Sequence, residues 1–178
     1  KAPREWPGGP PAVGVIDLGA GVGLSWARIP PADWVAAFEE SRLAREWKVP
    51  VRRITTVPAL VAAMDAGPTA WLALINPYGE TLPIPEPGQW QEMLGKIRAY
   101  VNNGGCWWET GGYSFHGAVA PVAGGWKGEP IGPSGCGAMG IPVGGGEVEQ
   151  TPEPLKATAE GRAWLGEEVS ARVARTTS

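Results

Sequence analysis

The sequence predicts a three-layer α/β sandwich, a parallel sheet with helices on both faces. Three observations predict it. Short apolar runs alternate with amphipathic stripes from residue 12 to residue 110, in the order β-α-β-α-β-α-β. The run from Trp71 to Ile75 is apolar at every position, as in a central parallel strand covered on both sides. A glycine cluster follows the first apolar run, where a strand should give way to a loop.

Taken in order, residues 1–11 are rich in Pro and Gly and read as an extended arm. Residues 12–178 read as a single domain. Val13 to Leu18 is a buried strand that stops at Gly19-Ala-Gly-Val-Gly23. Asp33 offers an N-cap, and the segment to Trp47 sets Trp34, Phe38, Leu43 and Trp47 against charged neighbours, as in one amphipathic helix. Val49 to Ile54 is a second strand. Thr56 and Pro58 suit a helix first turn, and Val57, Leu60, Val61 and Met64 share one helical face.

After the third strand, residues 76–80 turn the chain and a proline-rich loop runs to Gly88. Trp90, Met93, Leu94, Ile97, Tyr100 and Val101 form the clearest helical stripe, closed by Asn102-Asn-Gly-Gly105. Cys106 to Glu109 is the fourth strand. Trp107 and Trp108 must then face opposite sides of it. From 117 to 150 the chain is rich in Gly and Pro, too long for a structureless loop in a compact domain, so short strands or hairpins are expected there. A last helix is expected over Glu167 to Arg175.

Composition narrows the function classes. A net charge of −3 gives no electrostatic basis for nucleic-acid binding. No apolar run approaches the ~20 residues of a membrane span. There is no complete dinucleotide fingerprint and no metal-ligand spacing, so neither a cofactor nor a metal is expected. The ten Trp exceed what a core of this size requires, and Trp126, inside the glycine-rich segment, is the candidate for an exposed recognition aromatic. The chain begins at Lys1 rather than Met, and a cleaved secretory signal would explain that, giving a lean toward a secreted or cell-surface location. In that setting Cys106 and Cys136 could form a disulfide; in any other they are two separate thiols.

With strand order 2-1-3-4, the flavodoxin-like arrangement, ligands bind beyond the carboxyl ends of the strands. Three loops bound that crevice, and they bring together Asp17, Tyr78, Glu80, Glu109, Thr110, Gly111, Gly112, Tyr113, Ser114 and His116. Glu80 and Glu109 read either as an acid–base pair or as acceptors for the N–H groups of nearby turns. His116, Thr110 and Ser114 are the other groups with catalytic chemistry. Tyr78, Tyr113, Ser114, Trp126 and the two glycines are candidate ligand contacts.

The run Ile75-Asn-Pro-Tyr-Gly-Glu80, the helix ending Tyr100-Val-Asn-Asn-Gly-Gly105, and Cys106-Trp-Trp-Glu-Thr-Gly-Gly-Tyr113 resemble the class I glutamine amidotransferase-like superfamily. The likeness is to its outlying members, such as biotin–protein ligase N-terminal-like domains and domains attached to glycoside hydrolases. It covers roughly residues 12–116. Active members carry a nucleophilic Cys in the turn after this strand, activated by a distant His. Here Thr110 holds that place, Cys106 lies at the other end of the strand, and the only His is the nearby His116. The resemblance therefore implies the fold without the thiol chemistry. Three functions are open: a pseudoenzyme that binds a carbohydrate or protein partner, a hydrolase using Glu80, Glu109 and His116, or a structural subunit of an extracellular assembly. An oligomer is compatible with each.

Overall fold

Strands β1 (Ala12–Ile16), β2 (Val51–Ile54) and β3 (Trp71–Asn76) are followed by a short β4 (Thr81–Pro83) and by β5 (Cys106–Glu109). In the computed structural model, which describes residues 6, 8–23, 28–111 and 113–141, four of these form one parallel sheet in the order β2-β1-β3-β5. This is the expected order, and the class is α/β. The predicted helix at 167–175 lies outside the described residues, as does Gly112.

The helices follow the sequence signals closely, with one break. α1 (Pro31–Glu40) starts after Pro30 rather than at Asp33, which sits in its first turn. The single helix expected to reach Trp47 is interrupted at Ser41. The Ser41 hydroxyl donates to the Phe38 carbonyl at 2.6 Å and accepts the N–H of Ala44, capping a separate α2 (Arg42–Arg45). Thr56 caps α3 (Val57–Ala66) by accepting the N–H of Ala59 at 3.2 Å. α4 (Trp90–Asn102) ends where Gly104 turns at φ +96°.

Alternation along the strands divides the core in two. Val13 and Val15 with Ala73 and Ile75 meet Trp34, Val35 and Phe38 of α1 and Leu43 of α2. Ile16 and Leu74, the alternate residues, meet Leu60 and Met64 of α3 and Met93, Leu94, Ile97 and Tyr100 of α4. Alternate strand residues point to opposite faces, so the two sets lie on opposite sides of the sheet. The sides are unequal. α3 and α4 each bury four residues, whereas α1 buries none completely. Trp107 joins the α3/α4 side. Trp108 makes edge contacts with Trp34 and Phe38 at 5.7 and 6.0 Å and stays 45% exposed.

The glycine-rich segment holds the expected hairpin. β6 (Gly117–Val122) and β7 (Gly125–Pro130) pair antiparallel, and β4 adds to β6 in parallel to make a second, three-stranded sheet. β4 falls inside the stretch read from sequence as a proline-rich loop. A short helix, α5 (Pro133–Ala138), follows. The cysteines are not bonded. Cys106 is an exposed thiol at the start of β5, and Cys136 is a buried one in α5. From Cys106 the strand runs about 10 Å toward its carboxyl end, whereas the Cys136 thiol donates to the Ser114 carbonyl past that end, at 2.8 Å. This corrects the disulfide expectation.

The unequal sides predict unequal costs. Leu60, with no solvent exposure, should cost about 2–5 kcal/mol when cut to Ala. A urea-unfolding loss for Leu60→Ala within ~0.5 kcal/mol of zero, the range of surface changes, would contradict this core assignment.

Candidate functional site at the carboxyl rim

Parallel register places Asn76 beside Glu109, the last residues of β3 and β5. Asn76 has no solvent exposure, and each part of it is engaged. Its amide nitrogen donates to the Thr81 carbonyl at 3.0 Å and to Glu109 Oε2 at 2.8 Å. Its side-chain oxygen accepts the N–H of Tyr78 at 3.2 Å. Its backbone carbonyl accepts the Thr110 hydroxyl at 2.9 Å. Sequence reading saw this residue only as part of a turn.

Two further bonds join the loops into one rim. The buried Tyr78 hydroxyl accepts the N–H of Leu18 at 2.6 Å, tying the turn after β3 to the loop after β1. Burial raises the Tyr78 phenol above its usual range. Glu80 Oε1 accepts the N–H of Tyr113 at 2.9 Å, tying the same turn to the segment after β5. Glu80 and Glu109 thus stand on the same rim, each with its own partners. Glu80 holds backbone of the glycine turn.

Glu109 is different. Oε1 accepts the Trp107 indole N–H at 2.8 Å, and Oε2 accepts from Asn76. Burial pushes its carboxyl up to about 8, against the pull of those two hydrogen bonds. Thr110 is buried, with its hydroxyl donated to a peptide carbonyl. Gly111 is exposed at φ +127°. Ser114 is half-buried, and its carbonyl takes the Cys136 thiol.

Tyr113 is 68% exposed, beside the exposed His116 with ring centroids 5.8 Å apart. The backbone under this pair is well held. The His116 carbonyl accepts from Ile131 and Gly132 at 2.9 and 2.7 Å, and its N–H donates to Tyr113. Phe115 between them is buried at φ +59°, a conformation bulky residues rarely adopt. The Phe115 carbonyl oxygen would lie 2.0 Å from any Cβ at position 135, so α5 approaches it only through Gly135.

Trp126 is not the exposed aromatic that the sequence suggested. It is half-buried against the core, and a Cβ on Gly21 would lie 2.6 Å from its ring. The indole lies on the glycine loop after β1, so that loop's glycines serve a turn at Gly19, φ +80°, and a close approach at Gly21. A crevice of about 430 Å³ opens beside it, lined by Asp17, Gly19, Val22, Pro31 and Tyr78 among others. Among the described residues no three His, Cys, Asp or Glu side chains form a metal-binding group, and no helix is long and apolar enough to cross a membrane. Comparison of the chain with protein-family models, curated proteins and solved structures finds no match.

The raised Glu109 carboxyl predicts a pH dependence of stability. Folded, the group holds its proton to about 8; its ordinary value is 4.5. Between those values the folded state binds more protons than the unfolded state, so stability falls as pH rises through that window. Glu109→Gln should flatten this slope in urea unfolding across the window. An unchanged slope in the variant would show that Glu109 does not set it.

Proposed function

We propose that this chain is a non-catalytic, amidotransferase-like domain that binds a carbohydrate or protein partner at its carboxyl rim. One observation carries the reading. Thr110, in the place the resemblance gives to the nucleophile, is buried and its proton is directed at the Asn76 carbonyl. A nucleophilic hydroxyl gives its proton to a base, and the peptide carbonyl that takes this one is not a base. Supporting the binding half of the proposal, Tyr113 and His116 project from a turn whose backbone is held by Glu80, Ile131 and Gly132. A rigidly mounted Tyr offers a large amphipathic contact at small entropic cost.

The hydrolase reading keeps one favourable observation. A carboxyl raised to about 8 on the rim, as at Glu109, is suited to general-acid work near neutrality.

The two readings separate in one set of assays. The binding domain turns over no glutamine, ester, amide or glycoside substrate above background. On a glycan array or against a purified protein ligand, its binding falls at least tenfold, about 1.4 kcal/mol, in Tyr113→Ala. Turnover that is present in the wild type and lost in Glu109→Gln would replace the binding domain with the hydrolase.

A further inference from the structure

Among the described residues Glu109 meets two donors and no cation. Trp107 Nε1 and Asn76 Nδ2 each lie 2.8 Å from one of its carboxyl oxygens. Both contacts are N–H donations, so both oxygens serve as acceptors, which is the pattern of an ionised carboxylate. A protonated carboxyl must make one oxygen a donor. An indole N–H and an amide NH₂ group offer that proton no acceptor. Protonation therefore removes the charge and one lone pair from one of these oxygens, and the donor that faces it is held more weakly.

Among the described residues no ion pair supplies Glu109 with a counter-charge. Among the described residues the ion pairs are Arg42–Glu46, Arg53–Asp17 and Lys96–Asp65. β3 and β4 carry no ionisable side chain. The turn after β3 carries Tyr78 and Glu80, and the segment after β5 carries Tyr113 and His116. α4, packed on β5, turns Met93, Leu94, Ile97 and Tyr100 inward, while its Glu92 and Arg98 are exposed and Lys96 pairs with Asp65.

We propose that Glu109 is a proton-operated latch on the rim: charged, it clamps Trp107 to Asn76, and protonated, it loosens its hold on one of them. Asn76 carries the change outward, because its amide also holds the Thr81 carbonyl and its oxygen also holds Tyr78. β4 and the Tyr78 turn, with the Leu18 contact behind it, are the parts that loosen. The elevated carboxyl places the exchange close to neutral pH. The latch is independent of what the rim binds.

Two-dimensional ¹H–¹⁵N spectra of the full chain over a range of pH test it. The Trp107 indole signal, assigned by its loss in Trp107→Phe, and the Asn76 side-chain amide signals should shift together with one midpoint near 8. Both should stay fixed in Glu109→Gln, and the transition should persist in His116→Gln. Signals that do not move in the wild type, a transition that survives Glu109→Gln, or one that vanishes in His116→Gln would each overturn the latch. If Glu109→Gln does not fold, the wild-type Glu109 carboxyl ¹³C shift decides. A midpoint shared with the Trp107 indole supports the latch, and a different midpoint refutes it.

Discussion

Asn76 ends β3 without solvent contact and satisfies the ends of three other segments: the start of β4, the Tyr78 turn and the Glu109–Thr110 end of β5. A parallel sheet releases every strand into a loop at the same edge, and each loop brings backbone groups that need partners. One buried amide, with two donors and an acceptor of its own, meets several of those needs at once. A buried group left unpaired costs about 1–3 kcal/mol, so the rim depends on this side chain more than on any of the carboxylates around it.

The second sheet reinforces the same edge. β4 departs directly from the Asn76 turn, and Gly117 donates to the Glu80 carbonyl at 2.9 Å as β6 begins. β7 then lays Trp126 on Gly21, and Glu129 takes the N–H of Gly88 with both carboxylate oxygens at 3.0 Å. The glycine-rich segment through β7 and α5 is therefore rim structure. Its glycines allow close approach of ring to backbone at Gly21 and of helix to turn at Gly135. The result is a rim in which the catalytically suggestive groups are mostly used for construction. Thr110 and Glu80 hold backbone, while Tyr113 and His116 stay exposed.

Much of this was legible in the sequence, for identifiable reasons. Leu60 and Met64, or Met93 and Ile97, repeat at helical spacing because one face of each helix is buried, and that periodicity survives in the letters alone. The unbroken run at Trp71–Ile75 marked a strand that has a neighbour on each edge. Strand order followed, and with it the gathering of Asp17, Tyr78, Glu80 and Glu109 at one end. What was not legible depends on contacts distant in sequence. Asn76 looks like any turn residue until β5 is placed beside it. β4 has three residues and a proline, too few for a period to show. Trp126 is covered by a loop more than a hundred residues earlier. Ser41 breaks α1 through a local bond to Phe38 that the amphipathic pattern hides. The two thiols are separated by the length of β5, which the count of cysteines does not reveal.

The rim thus rests on one polar residue placed where strands end, and the chemistry that the rim offers follows from how its neighbours are held. Native-state hydrogen exchange on Asn76→Ala measures this dependence directly. The amides of Tyr78 and Leu18 should exchange about tenfold faster or more, as the loss of a buried partner implies, while the ladder amides of β1 and β3 keep their protection. Unchanged exchange at Tyr78 and Leu18, or equal loss across the whole sheet, would contradict the place given to Asn76.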